Sequence, residues 1–230
     1  MLLQSWLKSK RRYLRLSGGK SSKSGVSIAA RLAIPWRGCS AHIMKPWKTL
    51  SSQVAYRDQY ISLRTDRCER EDGHIIPAYH ILEETEWVTV VPITDAGNVV
   101  LIREYRHGAG EITIGLPGGV GNLGETDIAG AAARELMEET GYAARELIPI
   151  GRCYPNWAWQ DNQVSYFLAL GAAPTGQQQL DPNEEIEVLE RPYSEFLRYE
   201  DLQFQHALHA TALFYAERWF LGHPERRPTI

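Results

Sequence analysis

Residues 134–142, RELMEETGY, place Glu135, Glu138 and Glu139 within two helical turns and close on Gly141. Positions three and four apart on a helix are neighbours, and like charges there destabilise by about 0.2–0.5 kcal/mol per pair. Arg134 can reach Glu138 at i,i+4, which leaves Glu135 and Glu139 uncompensated by any near neighbour in the sequence. Paired glutamates on a helix are ordinarily a solvated face with basic partners. Here those partners are missing, and the pattern asks for a positive group that the chain does not itself supply.

Working outward, the spacing predicts a helix from Asp127 to Thr140. Asp127 or Thr126 can cap its start, and Gly141 suits the left-handed residue that ends a helix. Ala129, Ala133, Leu136 and Thr140 form its small, mostly apolar stripe, with Glu135, Glu138 and Glu139 off that stripe. Gly130 lies inside the helix at a cost of about 1 kcal/mol against alanine. Just before the helix runs LPGGVGNLGE, residues 116–125. A glycine-rich loop lets backbone approach a ligand closely, because no Cβ obstructs it. Loop carbonyls joined by carboxylates make an oxygen-only site, which suits a hard divalent cation such as Mg²⁺ rather than zinc. Mg²⁺ in turn works with phosphate oxygens.

Around this centre the pattern is β-like from Tyr60 onward. YISLRTDRCERED and HIIPAYHILEE read as two strands joined at Asp72–Gly73, a dipeptide that favours hairpin turns. EWVTVVPI (86–93) is apolar enough for a buried central strand. A turn at Asp95–Asn98 leads into another strand, and EITIG runs into the Pro117-Gly118-Gly119 loop. Further strands are expected near 145–153, 163–170 and 185–191, and FQHALHATALFYAERWFLG (204–222) reads as a closing amphipathic helix. Strands mixed with two substantial helices predict an α/β (α+β) sandwich. The expected division is a basic extension at 1–43, a β region at 44–84, the main domain at 85–222 and a tail at 223–230.

Composition sets the outer bounds. The 230 residues carry 43% hydrophobic and 23% charged side chains, ordinary for a globular protein. A formal net charge of −3 predicts no general attraction to nucleic acid or anionic membrane. The charge is uneven: nothing acidic precedes Asp58, whereas Lys and Arg recur from Lys8 to Lys48. The readings for 1–43 are a translation start placed too early, with MKPWKTLSSQ at Met44 as the natural opening, a transit peptide, or a basic tail; in each the stretch is expected to be disordered. Three cysteines without a CxxC pair fit a reducing compartment, so the cytoplasm is expected, or an organelle if 1–43 is a transit peptide. No apolar run reaches the roughly 18–20 residues of a membrane span.

Gly119-x5-Glu125 followed by Arg134-Glu135-Leu136-x-Glu138-Glu139-x-Gly141 resembles the signature of the Nudix hydrolases, and the wider pattern is similar over about 44–222. One more residue separates Glu125 from Arg134 than in the family, and Tyr142 stands where an aliphatic residue is usual, so Glu125 is discounted as a ligand. The resemblance implies a Nudix α/β/α sandwich and Mg²⁺-dependent attack of water on a nucleoside diphosphate linked to another group, with Mn²⁺ as a possible substitute. It implies Glu135 and Glu139 as principal metal ligands, Glu138 as a ligand or partner of Arg134, and the Gly118 carbonyl as a further ligand.

The flanks resemble the ADP-ribose pyrophosphatase branch, through REYRHGAGEITIGLPGG and through Pro155 in YPNWAWQDNQ, although Gly115 stands where that branch commonly has Glu. DPNEEIEV (181–188) matches an acidic loop that supplies a catalytic carboxylate there, so Glu184 and then Glu185 are candidates for the base; an acidic pair opening a strand and facing water is the alternative. Trp157 can stack on an adenine, and Trp159 is expected to cover an edge of the core. Arg103 and Arg106, expected on one strand face, can reach phosphate or a terminal ribose. The histidines show no metal-ligand spacing; His206 and His209 read as surface or packing residues. The branch also implies a homodimer formed through residues 55–84. Two other readings stay open: a Nudix hydrolase of dinucleoside polyphosphates or nucleoside triphosphates, and a nucleotide-sensing module without catalysis.

Overall fold

In the computed structural model the described residues are 45–122, 124–198 and 206–228. The expectations for residues 1–43, and for Phe204 and Gln205 in the closing helix, lie outside them. Residues 45–230 cluster as one unit.

Strand β1 (Lys48–Arg57) pairs antiparallel with β2 (Ser62–Glu69), and β2 with β3 (Ile75–Glu83), in a three-stranded sheet. The β2–β3 hairpin turns at Asp72-Gly73, as the dipeptide predicts, with Gly73 at φ 80°. β structure thus begins at Lys48 rather than Tyr60. β1 is exposed at all but one position, so it carries no apolar period to betray it; pairing with β2 orders it.

The main sheet takes β4 (Trp87–Ile93), β5 (Asn98–Arg106), β6 (Glu111–Gly115), β8 (Glu146–Cys153), β9 (Val164–Leu170) and β11 (Ile186–Pro192), in the order β11-β5-β4-β9-β8 with β6 also pairing β5. It is mixed: β4 and β9 run parallel, and the other pairs antiparallel. β7 (Tyr142–Ala143) and β10 (Ala173–Pro174) form a short ladder beside it. Helix α1 (Ile128–Thr140) packs on one face. Helix α3 (Ala207–Gly222) covers the other, and the single turn α2 (Tyr193–Phe196) joins its core.

Strand alternation explains the two faces. On β4, Val88 and Val90 join Ala131, Ala132 and Leu136 of α1, while Val91 and Ile93 join Ala212, Ala216 and Phe220 of α3. On β9, Phe167 and Ala169 face α1, while Tyr166 and Leu168 face the α3 side. This is an α/β/α sandwich, as the sequence implied.

One expectation about α1 is corrected. Its buried residues are Ala131, Ala132, Leu136, Glu139 and Thr140, while Ala129 and Ala133 are exposed. Alanines at 129/133 and at 131/132 are equally small, so size alone does not orient the helix. The buried row that follows from Leu136 at three- and four-residue steps includes Glu139, which therefore faces inward rather than off the stripe. Gly130 also gains an explanation. Asp127 caps α1 by accepting a hydrogen bond from the Gly130 N–H at 2.9 Å, and a Cβ on Gly130 would stand 2.5 Å from the Asp127 carboxylate.

Candidate active site

The site forms where the main sheet parts. β4 and β5 pair at Ile93 and Val99, after which β5 pairs with β6 from Ile102–Gly115 to Arg106–Glu111. The edge of β4 left by that departure is taken up by the glycine loop. Val90 N–H donates to the Pro117 carbonyl and Val88 N–H to that of Gly119, both at 2.9 Å, and Gly121 N–H donates to the Glu86 carbonyl at 2.8 Å. A side chain on Gly118 would land on the Val88 carbonyl, so the loop lies this close only as glycine. A Cβ on Gly119 would stand 2.5 Å from a Glu135 oxygen, so the loop also makes room for that carboxylate.

Helix α1 delivers the acids to this loop. Glu139 is 5% exposed, and its Oε2 accepts a hydrogen bond from the Gly118 N–H at 2.8 Å. Burial pushes its pKa up to about 8 against the pull of that N–H, and the nearby carboxylates of Glu135, Glu104 and Glu184 add to the rise. Glu135 is likewise raised, by burial first, with Arg134 opposing and Glu138 and Glu184 adding to it. Arg134 reaches Glu138 at 2.7 Å as the spacing predicts, and also Glu135 at 2.9 Å. Glu135 is therefore not uncompensated, which corrects the sequence reading. Arg134 serves both carboxylates through one nitrogen, Nη1, which carries two N–H donors. Glu125 accepts from Asn122 N–H at 2.8 Å and lies 3.9 Å from Arg134.

The acidic loop arrives through the β5–β11 register. Ile186 pairs with Glu104, which sets Glu184 close enough to influence Glu104, Glu135 and Glu139. Glu184 also closes its own loop, its Oε2 accepting from the Asp181 N–H at 2.9 Å. Glu185 is the exposed residue that follows.

Arg103 and Arg106 stand three apart on β5, so they lie on opposite faces of the strand and not on one as expected. Arg103 pairs with Glu187 of β11 and Arg106 with Glu104. Trp157 is 82% exposed and Trp159 62% exposed, so Trp159 does not cover the core. Both lie in a loop tied to β3: Leu82 N–H donates to the Trp159 carbonyl at 2.7 Å and Tyr79 OH to that of Ala158 at 3.0 Å. Pro155 is half-buried in the same loop. Packing is the role visible for His209, onto whose ring a side chain at Gly115 would project.

Glu104 was missed by the sequence reading. Val100, Ile102 and Glu104 alternate along β5, the first two fully buried, so the acid continues an inward-facing apolar row. A charge at the end of such a row was the available signal.

The donor set fits a hard divalent cation: carboxylates, one almost wholly buried, beside a loop of glycines, with no nitrogen or sulfur donor among them. Among the described residues no three His, Cys, Asp or Glu side chains surround a common point to hold a metal ion, and Arg134 draws Glu135 and Glu138 to itself.

The model of the NUDIX domain matches residues 85–220, more than half of the chain. The chain belongs to the Nudix family. Nudix hydrolases generally use a divalent metal. The model of the nucleoside diphosphate sugar hydrolase N-terminal domain matches residues 47–82, the three-stranded sheet. The ADP-ribose pyrophosphatase of Bacillus subtilis is 28% identical over 144 residues, 62% of this Nudix chain and 77% of that protein. The ADP compounds hydrolase NudE of Escherichia coli is 29% identical over 186 residues, 80% and 97% of the two chains. A crystal structure of an ADP compounds hydrolase superposes with a TM-score of 0.70 at 25% identity, covering 78% of this chain and 97% of the other. Among the described residues no helix is long and apolar enough to cross a membrane.

Proposed function

We propose that this Nudix hydrolase cleaves the diphosphate linkage of ADP-ribose or a related nucleoside diphosphate sugar, giving a nucleoside monophosphate and a sugar phosphate. The observation that carries the reading is buried Glu139, bound to the Gly118 N–H of the glycine loop, with Glu135 of the same helix against Gly119. The names of the relatives and of the N-terminal domain point to the same substrates.

Glu135, Glu138, Glu139 and the Gly118 carbonyl would hold Mg²⁺, or Mn²⁺ in its place. When bound, the cation supplies neutralising charge for the diphosphate and an acidified water. Glu139 would hold the cation in its ionised form, and Arg134 positions Glu135 and Glu138. Glu184 accepts the proton of the attacking water, with Glu185 as the alternative base. Arg106, on the α1 face with Glu104, binds phosphate or the terminal ribose, whereas Arg103 on the opposite face pairs with Glu187; Trp157, held in the loop of Pro155, stacks on the adenine. Two copies associate through the strands within 55–84, which follow the almost wholly exposed β1. The free Cys68 and Cys153 support a cytoplasmic setting.

Chromatography after incubation with ADP-ribose and Mg²⁺ tests the reading. AMP and ribose 5-phosphate, abolished by EDTA, are expected. Intact ADP-ribose would reject that substrate, and a panel of other ADP compounds and dinucleotides would then follow. Silence across the panel would leave a binding module. Light scattering that shows a monomer alone would reject the dimer.

A further inference from the structure

We infer that Glu104 belongs to the cation-binding group of this site, with Arg106 as the counterion it gives up when a cation binds. The inference rests on the reading of the site proposed above and adds a residue that lies outside the helix and loop.

Three observations carry it. The first is placement. Two separate pairings fix Glu104: Thr113 of β6 on one side and Ile186 of β11 on the other. Register therefore holds it between the glycine loop's own strand and the loop of Glu184. The second is depth. The side chain of Glu104 is 15% exposed, whereas that of Arg106 is 58% exposed. An ion pair two residues apart on a strand needs neither member buried, and exposed pairs of this kind contribute about 0–1 kcal/mol. This pair sends the acid inward and leaves the base in solvent, which costs desolvation that a surface pair would avoid.

The third is direction. Val99 and Leu101 join the cluster under α3, so Val100, Ile102 and Glu104 lie on the α1 face, the face from which Glu139 reaches the glycine loop. Glu104 and Arg106 hold each other at 2.6 Å. Acids from three elements, α1, β5 and the loop before β11, thus lie toward one end of this face, where Arg106 pairs with Glu104 and Arg134 with Glu135 and Glu138. A divalent cation among these acids competes with Arg106 for Glu104. Arg106 is exposed and long enough to turn outward, where the diphosphate would arrive.

Mn²⁺ titration of the purified full chain by calorimetry, without substrate, tests this. Glu104→Gln keeps the volume and removes the charge, so the Mn²⁺ Kd is expected to rise about 10-fold or more, with the circular dichroism spectrum unchanged. Arg106→Gln is expected to act in the opposite direction and tighten Mn²⁺ binding, because it removes the competing counterion. A pair of merely structural residues would move neither constant. An unchanged Kd in Glu104→Gln, in a wild type that binds Mn²⁺ and cleaves ADP-ribose, would overturn the inference and leave the proposed function standing. If Glu104→Gln fails to fold, Arg106→Gln decides, and unchanged or weaker binding there overturns the inference. A wild type that binds no Mn²⁺ would overturn both.

Discussion

The two faces of the main sheet are packed by helices of opposite character. On the α3 side the cluster is large and aromatic, with Tyr166, Tyr193, Phe196 and Phe220 fully buried. One carboxylate partners two of its polar side chains: Tyr193 OH donates to Glu217 at 2.9 Å, and Arg227 Nη2 reaches the same carboxylate at 2.6 Å. On the α1 side the cluster is smaller, and α1 itself contributes Ala131, Ala132 and Leu136 to it. That row includes Glu139, whose pKa is raised by burial and further by the charges of Glu135, Glu104 and Glu184. Small residues let the helix lie close to the sheet, so its inward carboxylate reaches the glycine loop. The α3 face supplies stability, whereas the α1 face carries the cost of a buried acid, which a bound cation would offset.

The contrast predicts substitutions that separate activity from stability. Glu139→Gln should lower kcat more than about 100-fold, since it removes a proposed metal ligand, while urea unfolding shows no loss of stability. On the other face, Phe220→Ala should cost about 3–5 kcal/mol in urea unfolding, by opening a cavity in the aromatic cluster. Mn²⁺ affinity, measured where that variant is still folded, should not move. Comparable effects of the two changes on both properties would break the division between the faces.

Smaller effects sharpen it. Trp157→Ala should raise KM for ADP-ribose about 10-fold at nearly constant kcat, the scale of one lost base stack. An unchanged KM would remove Trp157 from the site. Asp127→Ala removes the cap of α1 and should cost about 1 kcal/mol, read as a lower urea midpoint. The same loss with Gly130→Ala would confirm that the cap, rather than helix propensity, sets the residue at 130.

The sequence made the fold legible wherever one face of a strand was apolar and a turn signal bounded it. β4, β8, β9 and α1 fall within a residue or two of their expected limits for that reason. β1 was hidden because it buries almost nothing. At the site, the spacing of Glu135, Glu138 and Glu139 was readable, since it lies within one helix. Which of them points inward was not, because that depends on the sheet beneath. Glu104 shows the same limit: its partners sit on β6 and β11, and only the register of three strands brings them together. The paired duty of Arg134 and the opposite faces of Arg103 and Arg106 likewise needed backbone geometry.

The central claim is that buried Glu139 costs stability which a cation restores. Its pKa is raised from 4.5 to about 8 in the folded protein, so between those values the native state holds a proton that the unfolded state has released. Without a cation, the stability tied to that proton is present at low pH and is lost as pH rises through about 8. The direct measurement is thermal unfolding of wild type and Glu139→Gln at pH 8, once in EDTA and once in excess Mg²⁺. In EDTA the variant should melt above the wild type; Mg²⁺ should raise the wild-type Tm and leave the variant nearly unmoved. A wild type that melts above the variant in EDTA, or a Tm raised equally in both by Mg²⁺, would contradict the account.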